Sequence, residues 1–272
     1  MTFEEKAKQL EQSFQEYTKN DIVIAFSGGV DSSLLLSVAC KMAKKQRTNV
    51  YAVTLDTELH PRIDGEVAAK VAEELGAIHH VIHIQELYEA GIIDNPVDRC
   101  YRCKKHLFER VCEFAREKGI KRIIEGSNQD DLKQYRPGRK AIKELGIESP
   151  LESCGFTKKE VRRLAAQYGI SVAERPSTPC LATRFPYGTR LSMEDMKRVE
   201  QGEAILKTYG CYNVRIRVHG NIARLEVDSE DMMRIVSNRQ EIVVALKDLG
   251  YDYITMDLEG FRSGSMDIHI KK

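Results

Sequence analysis

Two glycines and several small polar residues form a short motif near the start of the chain. The segment Ser27-Gly28-Gly29-Val30-Asp31-Ser32-Ser33 follows an apolar run and precedes a helical pattern. Helix N-terminal amides attract anions, and glycines let the backbone approach such anions closely. The segment has neither the Gly-x-x-x-x-Gly-Lys nor the Gly-x-Gly-x-x-Gly pattern of other nucleotide loops. It therefore predicts a different phosphate site, formed by Ser27, Gly28, Gly29, Asp31 and Ser32. A plain glycine turn with Asp31 and Ser32 as helix caps is the alternative.

A second polar segment follows another short apolar run, with the sequence Glu125-Gly126-Ser127-Asn128-Gln129-Asp130-Asp131. Ligands of open α/β sheets bind outside the carboxyl ends of strands. We therefore expect Gly126, Asn128 and Asp131 to face the same crevice as the first motif. A carboxylate of this segment is a candidate Mg²⁺ ligand beside the phosphate oxygens. The alternative interpretation is an Asx-type turn before a helix.

Three of the seven cysteines have positions that indicate metal or sulfur chemistry. Cys100 and Cys103 form a Cys-x-x-Cys motif, and Cys180 lies between Pro179 and Leu181. Three thiolates can hold three corners of a 4Fe-4S cluster and leave one iron open. They can also bind zinc, with His106 or His83 as a fourth ligand, or act in redox exchange. The residues alone do not decide among these three. The other cysteines are predicted to be structural: Cys40, Cys112, Cys154 and Cys211.

The elements that position these motifs alternate between strands and helices. Apolar periodicity predicts helices over 3–18, 31–45, 65–75, 102–118 and 158–168, and strands over 21–26, 50–55, 78–84 and 122–125. Thr157 followed by Glu160 is the signature of a capping box at the last of these helices. Such alternation predicts an α/β domain with a doubly wound parallel sheet, extending over residues 1–175.

A different pattern follows this domain. Residues 176–190 are rich in Pro, Ser, Thr and Gly, which predicts a linker or active-site loop. Residues 191–272 then predict a smaller α+β domain, with a helix over 192–209, a hairpin of strands 214–218 and 223–227, a helical region and a strand near 251–258. Arg215 and Arg217 alternate to one strand face, a spacing suited to a substrate phosphate. A solvated strand face is the alternative.

Composition limits the class of protein. The chain has 272 residues, of which 31% are charged, and a net charge of +1. No apolar run approaches the roughly 20 residues that cross a bilayer, and the N-terminus lacks a secretory pattern. An odd number of cysteines argues against a disulfide framework. We therefore expect a cytoplasmic protein without a membrane partner, and the near-neutral charge argues against a nucleic-acid partner.

Taken in order, the motifs resemble the LarE family over nearly the whole chain. The glycine motif resembles the PP-loop of ATP pyrophosphatases, which bind the pyrophosphate of ATP and transfer AMP. The further matching segments are Asn128-Gln129-Asp130-Asp131, Arg136-Pro137-Gly138, Pro179-Cys180-Leu181-Ala182-Thr183-Arg184-Phe185-Pro186-Tyr187-Gly188 and Asp257-Leu258-Glu259-Gly260-Phe261-Arg262-Ser263-Gly264-Ser265. The implied fold is the PP-loop ATP pyrophosphatase, or adenine nucleotide alpha hydrolase-like, fold.

The resemblance implies an ATP-dependent sulfur transferase with a small nucleotide substrate. Such enzymes convert the carboxylates of pyridinium-3,5-biscarboxylic acid mononucleotide to thiocarboxylates during synthesis of the nickel-pincer nucleotide of lactate racemase. In the sacrificial type, a cysteine at the position of Cys180 loses its own sulfur and becomes dehydroalanine. With Cys100 and Cys103 added, the chain looks like the branch whose three cysteines hold a 4Fe-4S cluster that carries sulfide. The resemblance also implies a homo-oligomer, with a hexamer as its form.

Roles for individual residues follow from this chemistry. Asp31 is assigned to the ATP step and Cys180 to the sulfur step, where cationic groups must stabilise the developing oxyanion. Arg184 is a candidate for that task, and Arg262 is a candidate to join Arg215 and Arg217 at the substrate phosphate. Four carboxylates are candidates for an acidic site near these arginines: Glu200 or Glu203, with Glu226 or Asp228. The alternative is that they are ordinary solvated carboxylates.

Three other functions compete with this one. A tRNA thiolase uses the same adenylation, but it would need an RNA-binding module and a broad basic surface. Ammonia-using synthetases share the loop but have no use for three cysteines. A regulatory protein with a structural zinc would bind ATP without releasing pyrophosphate.

Overall fold

The structure is a computed structural model that describes residues 1–133, 137–176, 178–262 and 264–267, without the side chains of Arg62 and Lys133. The chain divides into two compact units. The first comprises Met1–Thr57, Arg62–Ala90 and Asp98–Ser177, and the second comprises Glu58–Pro61, Gly91–Val97 and Thr178–Lys272. Among the described residues, no helix is both long and apolar enough to cross a membrane.

A four-stranded parallel sheet with the order β3-β2-β1-β4 forms the centre of the first unit. Its strands are β1 (Ile22–Ala25), β2 (Val50–Thr57), β3 (Ile78–Ile84) and β4 (Ile123–Ile124). Its helices are α1 (Phe3–Tyr17), α2 (Val30–Gln46), α3 (Arg62–Leu75), α4 (Glu86–Glu89), α5 (Arg99–Glu117), α6 (Gly138–Glu144), α7 (Pro150–Ser153) and α8 (Lys158–Gln167). The predicted doubly wound α/β sheet is confirmed.

Both faces of this sheet are covered, which explains why β1 is apolar throughout. Ile22 and Ile24 pack into a large core with α1, α2, α3 and α8. Val23, which points the other way, packs with Val53 and with Val111 of α5. Alternate residues of a buried parallel strand serve opposite faces, so a continuous apolar run is expected. The four predicted strands and five predicted helices of this unit lie within a few residues of the observed ones, whereas the short helices α4, α6 and α7 were not predicted.

The boundaries of two helices affect the candidate site. Thr157 Oγ1 accepts from the Glu160 amide, and the Glu160 carboxylate accepts from the Thr157 amide, which confirms the capping box that opens α8. Helix α5 begins at Arg99, three residues before the predicted start, because the Asp98 carbonyl accepts from the amides of Tyr101 and Arg102. The Cys-x-x-Cys motif therefore lies within the first two turns of a helix.

The second unit contains a three-stranded sheet with the order β5-β6-β7. β5 (Val214–His219) and β6 (Ile222–Val227) are antiparallel, and β7 (Tyr253–Met256) is parallel to β6. Its described residues also form the helices α9 (Met193–Thr208), α10 (Met232–Ser237) and α11 (Arg239–Asp248). A Cβ on Gly202 of α9 would lie 2.6 Å from Ile216 Cδ1, so this glycine lets α9 approach β5 closely.

The loop around Cys180 is tied to two short segments that are distant in sequence. The amide of Leu181 donates to the carbonyl of Leu59, and that of Leu191 donates to the carbonyl of Ile93. The buried side chain of Asn95 donates to the carbonyls of Phe185 and Pro186. These bonds account for the assignment of Glu58–Pro61 and Gly91–Val97 to the second unit, which a single linear boundary near residue 175 did not anticipate.

Candidate active site

The glycine motif forms a tight turn between β1 and α2. Gly28 has φ +68°, and a Cβ at this position would lie 2.9 Å from the backbone of Ala68 in α3, so only glycine fits here. Ser32 Oγ donates to the Gly29 carbonyl at 3.2 Å and accepts from the Ser27 amide at 3.4 Å. The first helical bond runs from the Ser33 amide to the Gly29 carbonyl. The amides just before it lie outside the helix's own ladder and suit an anion.

The second polar segment contacts the glycine motif directly. β1 and β4 are neighbours in the sheet. The chain leaves β1 through α2 on one face of the sheet and enters β4 from α5 on the other face. In open α/β sheets, a ligand-binding crevice forms between two such strands. Asn128 Nδ2 donates to Asp31 Oδ1 at 3.0 Å. A Cβ on Gly126 would lie 3.2 Å from both Asp31 Cβ and the Ser32 amide nitrogen. The structure therefore brings Asp31, Gly126 and Asn128 together.

Lys158, which the sequence analysis did not single out, completes this cluster. Its ammonium Nζ forms an ion pair with Asp31 Oδ2, and its amide donates to Asp130 Oδ2 at 2.8 Å. Asp131 Oδ2 accepts from the Asn128 amide at 3.1 Å. Carboxylate oxygens are the ligands that Mg²⁺ takes beside nucleotide phosphates, so the oxygen donors of this cluster fit that ion.

The buried side chain of Glu125 supports the second polar segment, which contains Asn128. Its carboxylate accepts from the amide and the hydroxyl of Ser127 at 3.0 and 2.9 Å, and from the hydroxyl of Ser149. Lys104 Nζ of α5 lies 3.6 Å from the same carboxylate. Glu125 thus anchors the turn that carries Asn128. The sequence placed it at a strand end but indicated no role for it.

The cysteines differ in burial. All seven are reduced thiols, of which Cys154 and Cys211 are buried and the other five, with Cys100, Cys103 and Cys180 among them, are partly exposed. Cys100 and Cys103 lie in the first unit and Cys180 in the second. Within the described part of the chain, no group of three or more His, Cys, Asp or Glu side chains is arranged to hold a metal ion. Burial raises the pKa of the remaining thiols, to about 12 for Cys40, which suits structural roles for Cys40, Cys112, Cys154 and Cys211.

Two histidines that were candidate zinc ligands already contact carboxylates. His83 Nδ1 lies 2.8 Å from Asp56 Oδ2, and His106 Nε2 lies 3.2 Å from Glu89 Oε2. The pKa of Glu89 is lowered, mainly because its carboxylate accepts a hydrogen bond from the Gln85 amide. The contact with His106 makes a smaller contribution in the same direction. Neither pair includes a cysteine.

Arg184 holds the backbone on both sides of Cys180. Its guanidinium, only 1% exposed, forms two parallel bonds of 2.8 Å to Glu203. Its Nη1 donates to the carbonyls of Pro179 and Cys180 at 3.0 and 3.2 Å. The Glu203 carboxylate also accepts from the Ile216 amide of β5 at 3.0 Å. We infer from this geometry that Arg184 positions the Cys180 loop, and the oxyanion role expected from the sequence stays a prediction.

One face of the second sheet is lined with arginines. Arg217 forms bonds of 3.0 and 2.8 Å to Glu226 Oε2 and donates to the Thr183 carbonyl at 3.0 Å. Arg215 lies over the Phe261 ring at 5.1 Å. The pKa of Arg215 is lowered to about 10, mainly by burial and to a smaller extent by the charge of Arg184. Arg215 therefore stays charged at neutral pH. Both arginines are buried, contrary to the alternative of a solvated strand face.

Arg224 and Asp257 belong to the same face, and neither was predicted as a site residue from the sequence. Arg224 lies opposite Arg217 in the hairpin and donates to Asp257 Oδ2 at 2.7 Å. Arg262, with its side chain 37% exposed, reaches Asp257 and Glu259. In the antiparallel hairpin that turns at Gly220, Arg224 lies directly opposite Arg217. Cross-strand partners share a face, so pairing the two predicted strands would have placed Arg224 beside Arg217.

The other acidic candidates have mixed roles. Glu226 is buried between Arg217, Arg224 and the Ser265 hydroxyl. Asp228 accepts from the amide and the side chain of Asn213, and Glu200 is partly exposed on α9. Arg136 and Ser263, from two of the matching segments, lie outside the described residues.

Comparison with known proteins agrees with this geometry. Residues 2–133, which contain the glycine motif and the Asn128 segment, match the model of the PP-loop domain. Together with the parallel sheet, this match defines the class as a PP-loop protein. Over 251 residues the chain is 34% identical to the pyridinium-3,5-bisthiocarboxylic acid mononucleotide synthase of Lactiplantibacillus plantarum, covering 92% of this chain and 90% of that protein. The chain belongs to the family of that synthase, the LarE family.

Two further relatives show how far the likeness extends. An uncharacterized protein of Synechocystis sp. is 35% identical over 269 residues, which is 97% of each chain. A tRNA-specific 2-thiouridylase, MnmA of Rickettsia bellii, is 27% identical over 197 residues, covering 59% of this chain and 53% of that protein. The likeness to the synthase therefore takes in both units, and the likeness to the thiouridylase is partial.

Proposed function

We propose that this protein is an ATP-dependent sulfur transferase acting on pyridinium-3,5-biscarboxylic acid mononucleotide. It adenylates a substrate carboxylate and replaces oxygen with sulfur, which yields a thiocarboxylate for the nickel-pincer nucleotide of lactate racemase. The observation that carries the proposal is the contact between the PP-loop and the Asn128 segment through Asp31, in a chain that matches the synthase over 92% of its length.

The first step uses the crevice at the ends of β1 and β4. A carboxylate oxygen of the substrate attacks the α-phosphorus of ATP, and the bond from that phosphorus to the pyrophosphate oxygen breaks. The amides and hydroxyls of Ser27–Ser32 bind the departing pyrophosphate. Mg²⁺, with Asp31 and Asp131 as candidate ligands, would neutralise phosphate charge there.

The second step makes AMP the leaving group. A sulfur nucleophile adds to the acyl carbon, the carbon–oxygen bond to AMP breaks, and AMP leaves with the electron pair. Arg184, through its bonds to the Pro179 and Cys180 carbonyls, holds the loop that carries the Cys180 thiol. In the second unit, Arg215, Arg217 and Arg262 are the proposed residues for the substrate phosphate.

Three thiols have the chemistry that an iron–sulfur cluster requires. Cys100, Cys103 and Cys180 are partly exposed thiols. They would be the ligands, and a bound 4Fe-4S cluster would supply sulfide at its remaining iron. This proposal rests on the thiols and on the family resemblance rather than on a preformed group of three ligands. Sacrificial transfer from Cys180 is the alternative source of sulfur.

The setting of the enzyme follows from the same chemistry. Exposed thiols persist as thiols in a reducing compartment, which supports a cytoplasmic location. The proposed partner is the small nucleotide substrate, and a homo-oligomer is proposed from the resemblance. Neither a nucleic acid nor a membrane is required by the steps above.

Pyrophosphate release tests the proposal. With ATP, Mg²⁺ and the biscarboxylate substrate, the wild-type protein should release AMP and pyrophosphate and form a product in which sulfur replaces oxygen. Asp31→Ala and Ser32→Ala should abolish pyrophosphate release and leave the circular dichroism spectrum unchanged. Ser33→Ala is the matched control, because this neighbouring hydroxyl is buried and has no hydrogen-bond partner among the residues that the structure describes. Wild-type rates in both loop variants would place the ATP site elsewhere.

The same assay separates the tRNA-thiolase alternative, which the partial match to MnmA keeps open. Unmodified tRNA should give neither pyrophosphate nor thiolated nucleoside under conditions that turn over the mononucleotide. Thiolation of tRNA without any reaction of the mononucleotide would reverse the assignment.

A further inference from the structure

Two side chains of the first sheet form a series of hydrogen bonds that ends at the glycine motif. His79 of β3 places its Nε2 2.8 Å from Thr54 Oγ1 of β2. The Thr54 hydroxyl in turn donates to the carbonyl of Phe26 at 2.8 Å. Phe26 follows the last residue of β1 and precedes Ser27. The Thr54–His79 pair therefore connects two strands to the start of the motif.

The direction of both bonds follows from the protons that these groups carry. The Thr54 hydroxyl has one proton, and the Phe26 carbonyl can only accept it. The Thr54 oxygen must therefore accept from His79, whose proton lies on Nε2. The pKa of His79 is lowered, mainly by burial, which agrees with a neutral ring that carries one proton.

The Thr54 hydroxyl replaces the β ladder where β1 turns into the glycine motif. The Phe26 amide still donates to the Val53 carbonyl at 2.8 Å, as in a parallel ladder. The Phe26 carbonyl is bound by a side chain. The buried Phe26 ring also meets the His79 ring edge to face, with ring centroids 6.4 Å apart. The backbone and the ring of Phe26 are therefore both fixed.

The turn of the glycine motif is thereby held on both sides. Thr54 fixes the Phe26 carbonyl before the turn, and Gly28 packs against Ala68 within it. A loop that is already held in place loses less conformational freedom when a ligand binds. Thr54 is only 6% exposed, and its hydroxyl already has two partners. Its effect on a bound anion must therefore act through the position of the loop.

We propose that Thr54 and His79 are positioning residues for pyrophosphate binding, which hold the glycine motif in the form that binds the β- and γ-phosphates of ATP. Thr54 acts on the Phe26 carbonyl, and His79 acts on Thr54 by fixing the direction of its hydroxyl. The inference rests on the proposed ATP site. Because AMP lacks these two phosphates, the effect is confined to ATP and pyrophosphate.

Calorimetric titrations of the full chain with three ligands test this inference. Thr54→Val removes the hydroxyl and keeps the shape of the side chain. In this variant, affinity for pyrophosphate and for a non-hydrolysable ATP analogue, each with Mg²⁺, should fall about 3- to 10-fold, as expected for one lost hydrogen bond. Affinity for AMP should change less than about 2-fold. Thr54→Ser, which keeps the hydroxyl, should recover most of the loss.

Variants of His79 test the second bond of the series. His79→Leu should cause a smaller loss of the same kind, because His79 acts on the carbonyl through Thr54. His79→Gln, whose side-chain amide can also donate, should recover it. The double variant Thr54→Val, His79→Leu should lose little more than Thr54→Val alone, since the two residues act together. If Thr54→Val does not fold, the His79 variants supply the same comparison.

Thr48→Val is the matched control, because the Thr48 hydroxyl also donates to a backbone carbonyl, that of Thr18, at 2.7 Å. Thr48 precedes β2, at the amino end of the strand, whereas ligands of such sheets bind beyond the carboxyl ends. This variant should unfold at a lower urea concentration than the wild type and keep all three affinities.

Wild-type affinity for pyrophosphate in Thr54→Val would overturn the inference. Equal losses for AMP and pyrophosphate, or no recovery in Thr54→Ser, would show a purely structural role and overturn it as well. A wild-type protein that binds neither the ATP analogue nor pyrophosphate would overturn the proposed function itself, together with the roles of Thr54 and His79.

Discussion

At the scale of single residues, the second unit depends on buried charge pairs. Arg184 and Glu203 have side chains that are 1% and 7% exposed, and together they join the Cys180 loop, α9 and β5. A buried pair of this kind adds modest net stability when it is intact, but removal of one partner leaves an uncompensated charge. Arg184 therefore contributes to the structure of the second unit, and its role in oxyanion stabilisation stays a prediction.

Arg184→Ala is expected to lower the free energy of unfolding by about 3–5 kcal/mol, because Glu203 stays buried without a counter-charge. Urea unfolding of the variant measures the loss. In the double variant Arg184→Ala, Glu203→Ala the loss should be smaller than the sum of the two single losses, since the pair is coupled.

Arg190→Ala supplies the comparison. This arginine lies on the same loop, and its side chain is 73% exposed beside Asp94. Its replacement should change stability by less than about 0.5 kcal/mol. An Arg184→Ala protein that unfolds at the wild-type urea concentration would contradict the positioning role.

At the scale of elements, the proposed nucleotide site depends on how closely the β1–α2 turn approaches α3. Gly28 has a left-handed backbone and no room for a Cβ against Ala68. Gly76, after α3, has a similar φ of +73°, but no atom of the described residues lies within 4 Å of the corresponding Cβ position. The two glycines therefore share a left-handed backbone and differ in packing.

Gly28→Ala should abolish binding of the ATP analogue and destabilise the protein more than Gly76→Ala does. Both substitutions carry the cost of a left-handed alanine, about 1–2 kcal/mol. Only the substitution at Gly28 must also move the α2 turn or α3, which displaces the amides that suit an anion. Thermal unfolding and calorimetry with the analogue measure the two effects.

Gly76→Ala should bind the analogue as the wild type does, despite its lower stability. If both variants bound it with wild-type affinity, the close approach at Ala68 would have no bearing on nucleotide recognition. If both lost binding equally, general destabilisation would explain the result.

At the scale of the whole molecule, the three cysteines proposed for the sulfur chemistry are distributed over the two units. Cys100 and Cys103 lie in the first two turns of α5, in the first unit. Cys180 precedes the Leu181–Arg184 turn, in the second unit. A purely sacrificial enzyme needs Cys180 alone and assigns no chemical task to the other two thiols. The cluster mechanism uses all three, and it permits more than one turnover.

Anaerobically reconstituted protein is expected to be brown and to contain about four iron and four sulfide per chain, as for a 4Fe-4S centre. Cys100→Ala, Cys103→Ala and Cys180→Ala should each lose most of this iron. Cys112→Ala is the matched control, because its thiol lies on α5 as well and burial raises its pKa. It should retain the full cluster.

Intact-mass measurement after turnover distinguishes the two sulfur sources. A cluster enzyme supplied with sulfide should keep all three thiols and form several products per chain. Dehydroalanine at Cys180 in proportion to product would contradict the cluster mechanism and establish the sacrificial one.

The sequence by itself determined the α/β sheet, the order of its main elements and the glycine motif, since these depend on local periodicity and on the residue types that a turn requires. It also located Arg215 and Arg217, because alternation along one strand is a local property. Only the tertiary structure decided that Arg184 faces Glu203, and that Asp31 meets both Asn128 and Lys158. Those contacts join residues far apart in the chain. They depend on packing between elements, which no local pattern encodes.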